Sequence, residues 1–501
     1  MRHYHSSLGL YDFQARGVAH AYVAGDALCT WETGLGKSHL TMALASLLIE
    51  DGLVERVVVL AEANKVLDWQ EEFETHTDLP VSLYLGPKRS MAHPVVVSTY
   101  ETLLRGAVVD RKLQDLGRSL CGVPALLVFD ESVVKLRRRT SELYSSAEVL
   151  LREMRKAGHV RTLHLTATPI ESSPENAFNL LRLVNPGVLS VGDFERRYVL
   201  IRDDFGRARF KNLGSDDHYE PHVPTFKDLV QPYLIHKAKT EPDIAHLFPR
   251  TIETFTHVAP TEIGADFYST VADMFDGDDK TAFNVLRLIA GAPEALLASE
   301  SEGALQITST LGPASLAAIG APKIDVAVQR VTQAVAAGEN VVVFTFFGQT
   351  ILPLLARALT RAGCTVFVNH GKMTAKARKK AEQEFRATPG AVFLSSDAGA
   401  RGLNLPEATC LLNFELPLTH ANYIQRINRV SRINSKTEVV RVESLIADGT
   451  IEEPIVKIFH ERNDWHDILL ADDSDGSGWV TADLRRAMVK WGNTVHLVSA
   501  P

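Results

Sequence analysis

Residues 30–38 read TWETGLGKS, and the run Thr33-Gly34-Leu35-Gly36-Lys37-Ser38 carries the chemistry of a phosphate cradle. Two glycines let the backbone curl until its N–H groups converge on anionic oxygens at the start of a helix. Lys37 would set a cation among the β and γ phosphates, and Ser38 would offer a hydroxyl to Mg2+. The apolar stretch HLTMALASLLIE that follows suits the helix such a loop opens. The usual pattern G-x-x-x-x-G-K-[ST] has glycine where Trp31 stands. Trp31 precedes the amide cradle, so a nucleotide site remains the expectation, with an ordinary glycine-rich helix cap as the plainer alternative.

A nucleotide site of this kind needs a carboxylate for magnesium at the end of a buried strand. PALLVFDES (124–132) supplies one: Asp130 would hold Mg2+, and Glu131 would orient and deprotonate the attacking water. An isolated Asp-Glu after a strand is commonly just surface. Its pairing with Lys37 in the same chain favours the catalytic role. Farther on, HANYIQRINRVSRINS (420–435) places Arg426, Arg429 and Arg432 at i, i+3, i+6, which predicts one helical face. Such a run alone is as often a solvated basic face. Beside a phosphate site, arginine's fixed charge and planar fork favour γ-phosphate contacts, by Arg432 first and then Arg429.

These groups must be positioned by strands, and the chain is rich in short buried ones. RVVVLAEAN (56–64), PVVVSTYE (94–101) and RTLHLTATP (161–169) are continuous apolar runs, each followed by a turn and a helical pattern. Such runs suit a parallel α/β sheet covered on both faces. The texture returns in ENVVVFTFF (339–347), CTVFVNHG (364–371), GAVFLSSDAG (390–399) and ATCLLNFELP (408–417). Two α/β lobes are therefore expected, 1–225 and 321–470, separated by a mostly helical insertion and linker at 226–320. Beyond 470 come an acidic connector and a C-terminal helix at 481–492, with Thr481 as its N-cap and Gly492 as its stop.

Composition is that of a globular chain of 501 residues, 45% hydrophobic and 23% charged. A formal charge of -8 gives no global pull on nucleic acid, so any such binding must use local basic patches. Four cysteines without a C-x-x-C pair argue against a zinc ribbon or a disulfide framework, and the histidines form no zinc spacing. No apolar run approaches the ~18 residues of a membrane span, and MRHYHSSLGLYDFQ lacks a signal-peptide core. A cytoplasmic, intracellular protein without membrane partners is expected, and its modest size suits a bacterial or viral setting.

Taken in order, these motifs resemble superfamily-two helicases, most closely the Swi/Snf family of DNA translocases. That family's D-E-M-G-L-G-K-T stands where W-E-T-G-L-G-K-S stands here, so its first position is not glycine either. YDFQARGV (11–18) resembles the adenine-recognition segment, VVVLAEANKVLDWQEEF (57–73) and VVVSTYETL (95–103) the first nucleic-acid motifs, and LTATPIESSPENAF (165–178) motif III. DESVVKLRRRTS (130–141) resembles D-E-x-H-x-x-K-N-x-x-S with Val133 in place of the histidine. FERRY (194–198), YLIHKAKTEPDIAHLFPRTIETF (233–255) and FNVLRLIAGAPEALL (283–297) are similar to insertions of the family. SSDAGARGLNL (395–405) resembles motif V, and TIEEPIVKIFHERNDW (450–465) the helix that braces the lobes.

The resemblance implies an α/β fold of two tandem RecA-like lobes, ATP and Mg2+ as cofactors, and duplex DNA gripped by its backbone. Gln14 would read the adenine edge, Gln425 would join Arg429 and Arg432 at the nucleotide, and Gly402 would approach it closely. Asn404 and Asp397 would bridge nucleotide and DNA. The expected nucleic-acid contacts are Thr99, Thr166, Thr168, Arg401 and Asn404, with the basic runs Lys135, Arg137, Arg138, Arg139 and Lys376, Arg378, Lys379, Lys380. Each basic run is equally readable as a solvated face. The activity implied is ATP-driven movement on duplex DNA. A strand-separating or branch-migrating helicase, and a nucleotide-switched binding module without movement, are the competing readings.

Overall fold

The computed structural model describes residues 3–461, apart from 6–8, 88, 168, 170–172, 203–207, 215–218, 276–278, 401–402, 419, 434 and 436. Thr168, Arg401, Gly402 and the expected C-terminal helix with Thr481 and Gly492 lie outside the described residues. The chain divides into two compact units between Glu241 and Pro242.

The first unit is built on a parallel sheet of β1 (Asp26–Trp31), β2 (Arg56–Ala61), β3 (Val81–Tyr84), β4 (Val95–Thr99), β5 (Ala125–Phe129), β6 (Val160–Leu165) and β7 (Leu234–Lys237). Their order across the sheet is β7-β1-β6-β5-β2-β4-β3, with every pairing parallel. The central strands are buried from end to end, as VVVST and ALLVF dictate when helices cover both faces. Parallel strands all end at the same edge of the sheet, so the segments after Trp31, Ala61, Thr99, Phe129 and Leu165 gather there. Helices α1 (Asp12–Ala24), α2 (Lys37–Glu50), α3 (Val66–His76) and α4 (Tyr100–Ala107) flank the edge.

The second unit repeats the design with β8 (Arg250–Val258), β9 (Val341–Thr345), β10 (Val366–Asn369), β11 (Val392–Ser396), β12 (Cys410–Asn413) and β13 (Val439–Ala447). The order is β8-β13-β12-β9-β11-β10, again parallel throughout. Its core includes one buried ion pair. Lys323, near the start of the helix Pro322–Ala336, donates to Glu452 at 2.6 Å, and both side chains are almost wholly covered. Tyr268 adds a hydroxyl that accepts from the Ile451 N–H at 2.9 Å.

The stretch 226–320 is mostly helical and also carries two strands. Its first part supplies β7, beside β1, and β8, which runs along β13 for nine residues. Its helices are Phe226–Val230, Glu262–Met274, Asp279–Gly291, Glu302–Thr308 and Pro313–Ile319. Both strands are edge strands. RTIETFTHV is mostly exposed or half-buried and has an apolar residue only at every third position, so it lacks the continuous apolar run of a central strand.

Candidate active site

β1 ends at Trp31 and the chain turns through Gly34 (φ 97°) and Gly36 (φ 86°) into α2. Both glycines hold left-handed backbone that other residues adopt only with strain. At Gly36 a Cβ would also lie 2.4 Å from Nε2 of Gln14, so the Gln14 amide would have to shift. Gln14 is buried on α1, its Nε2 donating to the Leu35 carbonyl (2.9 Å) and its Oε1 accepting from the Tyr11 N–H (3.0 Å). Its amide thus clamps the loop. Lys37 opens α2, and its Nζ donates to the Trp31 carbonyl at 2.9 Å. The Thr33 hydroxyl is buried with no partner among the described residues, which fits a loop shaped for a polar ligand.

The Trp31 side chain points away from the loop. It is 1% exposed, lies 5.3 Å from the Phe13 ring, and fills the space opposite Gly17 of α1. The departure from the usual pattern is therefore a packing feature beneath the loop.

Beyond β5 stand Asp130 and Glu131. The Asp130 backbone is fixed at both ends: its N–H donates to the Leu60 carbonyl (2.9 Å), and its carbonyl accepts from the Tyr100 hydroxyl (2.8 Å). Trp69 Nε1 donates to Oδ2 at 2.8 Å. Burial, reinforced by the charge of Glu131, pushes the Asp130 carboxyl up to about 6, while Trp69, Lys65 and Lys37 pull it down. Glu131 adopts φ 47°, ψ 48°, a left-handed conformation for a non-glycine residue. Its Oε2 is buried without a partner among the described residues. Two crowded, half-buried carboxylates fit a divalent cation. Val133, in the histidine position, is 1% exposed and packs in the sheet's core cluster.

In the second unit the arginines do not share a helical face. The helix His420–Ile427 stops short of Arg429, and the Val430 N–H closes a turn onto the Ile427 carbonyl. Arg426 is buried and fully engaged. It grips Asp397 with Nε (2.7 Å) and Nη2 (2.8 Å), and its Nη1 donates to Asn413 Oδ1 and the Glu415 carbonyl. Asp397, half-buried, thus holds Arg426 in place. Arg429 and Arg432 both reach the Leu403 carbonyl, at 3.5 and 3.1 Å, and Arg432 and Gln425 are half-buried. Asn404 is half-buried; its carbonyl accepts from Arg386, and its Oδ1 has no partner among the described residues.

Of the expected nucleic-acid residues, two threonines face inward. Thr99 caps α4, accepting from the Thr102 N–H (3.1 Å) and donating to the Thr102 hydroxyl (2.8 Å), and Thr166 is fully buried. Lys135 is paired to Glu101 at 2.7 Å. Arg137 is half-buried, while Arg138 and Arg139 are exposed. Lys376, Lys379 and Lys380 are also exposed, and Arg378 donates to the Gly371 carbonyl at 2.8 Å. Sequence spacing assigned no role to Trp69 or Tyr100, because their partners lie 61 and 30 residues away.

Residues 23–300 match the family described as the SNF2-related domain, and residues 323–434 match the helicase conserved C-terminal domain. The chain belongs to the SNF2-related family, and it is an ATP-using enzyme of the helicase class. It is similar to YqhH, an uncharacterized ATP-dependent helicase of Bacillus subtilis, at 23% identity over 87% of this chain and 75% of that one. It is also similar to YwqA of the same organism, named as an ATP-dependent helicase/translocase. That identity is 24% over 90% of this chain, which spans only 46% of YwqA. In fold it is similar to the Hef helicase domain of Pyrococcus furiosus (TM-score 0.53, 17% identity, 91% of this chain and 99% of that one). No described helix is long and apolar enough to cross a membrane.

Proposed function

We propose that the first unit hydrolyses ATP and that the chain uses the cycle to move along double-stranded DNA. The observation that supports this reading is the shared sheet edge at which the strands leading to the Gly34–Ser38 loop and to Asp130–Glu131 both end. There, a strained Glu131 keeps a buried carboxylate oxygen without a partner among the described residues. Glu131 is the base: its open oxygen would take a proton from the attacking water. Lys37 would exchange its contact with the Trp31 carbonyl for the β and γ phosphates, and the Gly34–Gly36 amides would cradle them. Gln14 holds the cradle in shape from above. Ser38 and Asp130 are the residues that would hold magnesium, which when bound would neutralise charge on the phosphate oxygens. The family resemblance assigns Arg432 and Arg429 to charge on the γ-phosphate.

Duplex DNA as the track rests on the Swi/Snf resemblance, supported by the exposed Arg138, Arg139, Lys376, Lys379 and Lys380. Contacts from such residues would hold the phosphate backbone without reading sequence. A phosphate-release assay with duplex DNA, single-stranded DNA and RNA tests the reading. Stimulation is expected to be greatest with the duplex and to fall as salt rises. Stimulation by RNA alone would reject it.

A further inference from the structure

The chain leaves β9 toward β10 and β11, but it leaves β12 toward β13, on the other side of the second sheet. The crevice outside the carboxyl ends of β9 and β12 is therefore the topological switch point, where open α/β sheets bind ligands. Phe346 stands there just after β9, and Glu415 and Leu416 just after β12. Arg287, on the helix Asp279–Gly291, spans the gap between them. Its Nη2 donates to the Leu416 carbonyl at 3.2 Å, and its guanidinium lies over the Phe346 ring, 4.7 Å from the centroid. Arg287 is 1% exposed, whereas Phe346 is 41% exposed. We infer that Phe346, held by Arg287, is a stacking platform for an unpaired nucleobase of DNA. This goes beyond the backbone contacts proposed above and rests on the reading that the chain binds DNA.

The surroundings of the ring favour a platform over incidental exposure. A guanidinium has five donors, yet Nε and Nη1 of Arg287 have no partner among the described residues. Aromatic faces take the place of acceptors: the ring centres of Phe283, Phe346 and Phe347 lie 5.6, 4.7 and 5.3 Å from its central carbon. Since the guanidinium covers one face of Phe346, the exposed surface belongs to the rest of the ring. Phe347 braces it edge-on, with ring centres 5.1 Å apart. The backbone is fixed as well. The Phe346 N–H donates to Oε2 of the buried Glu415 at 3.0 Å, and the Thr345 hydroxyl donates to Oε1 at 3.1 Å. A ring so preorganised loses little freedom on binding. Every nucleobase has a π face, so such stacking tolerates any sequence. Paired bases show the grooves only their edges, so the ring calls for a base freed from its partner, in a single strand or at a fork. Lys376, exposed in the first turn of the helix Ala375–Ala387 after β10, opens on the same sheet edge and offers a cation to phosphate.

The test is binding of single-stranded and of blunt duplex DNA to the full chain without nucleotide, followed by fluorescence anisotropy. Phe346→Ala is expected to weaken the single strand about tenfold and to leave the duplex unchanged. Phe346→Trp should keep the affinity. Its added indole emission, beyond that of the parent protein, should be quenched by the single strand and not by the duplex. A purely structural role would not produce that quenching. Equal losses on both DNAs in Phe346→Ala would overturn the platform. So would unchanged single-strand affinity in Phe346→Ala, or an unquenched indole in Phe346→Trp. If the parent chain binds neither DNA, the underlying reading fails first and the platform falls with it.

Discussion

Trp31 and Gly17 oppose each other across the interface of β1 and α1: a Cβ built on Gly17 would stand 2.4 Å from the indole. The same helix carries Gln14, which clamps the phosphate loop. The contact therefore sets how closely α1 approaches the loop.

Gly17→Ala should be destabilising. In a helix interior alanine ordinarily gains up to about 1 kcal/mol over glycine. Here the new methyl meets a large ring with no room to retreat, and overpacking of that kind costs about 1–3 kcal/mol. Thermal melting should show a lowered transition, and combining the change with Trp31→Leu should recover part of the loss. A stabilised Gly17→Ala protein would contradict the packing.

Lys37→Ala should reduce phosphate release by about 100- to 1000-fold, the usual effect of removing one preorganised charge from a transition state. Glu131→Gln should reduce it by about 100-fold or more while sparing nucleotide binding. Binding of a fluorescent ATP analogue separates the two: weakened in the first, near normal in the second. Unchanged turnover in either would remove that residue from the site.

Arg426 and Arg432 should part company when each is changed to alanine. Removing Arg426 strands Asp397 at the edge of the interior, a loss of about 3 kcal/mol measurable by urea denaturation. Removing Arg432 should leave the urea midpoint in place and lower DNA-stimulated turnover about 1000-fold. A stable Arg426→Ala protein with normal melting would refute the bracing role.

His164 gives the fold an acid sensitivity. It is wholly buried on β6, stacked on Phe129 at 4.5 Å, and neither ring nitrogen has a partner among the described residues. Burial, aided by Arg155, lowers its pKa from 6.5 to about 3. The unfolded chain therefore takes up a proton that the folded one refuses, so stability falls as pH drops below about 6.5, down to about 3. Between pH 7 and 5 this one group accounts for about 2 kcal/mol. His164→Phe, which preserves the stacking, should shrink the pH 7-to-5 loss in urea titrations by that amount. An unaltered loss would mean the ring is hydrated.

What could be read directly from the sequence is what depends on neighbours in the chain. TGLGKS and the Asp130-Glu131 pair declare themselves because each is contiguous, and runs such as VVVST identify central strands because both faces must be apolar. The arginine run misled for the complementary reason: spacing predicts a helical face only while the helix lasts, and this one ends at Ile427. That Arg426 would be claimed by Asp397, 29 residues away, depends on tertiary placement. The inward turn of Thr99 depends on a capping bond to Thr102. The Trp69–Asp130 bond closes over 61 residues, beyond any local pattern.

The Lys323–Glu452 pair also decides where this chain can be cut. A fragment trimmed to 323–434 would discard β13, the strand between β8 and β12, and would leave an ammonium group sealed in oil-like surroundings with its counter-ion gone. Expression of the back half alone should therefore yield insoluble material unless it runs past Glu452 and begins early enough to keep Arg250–Val258.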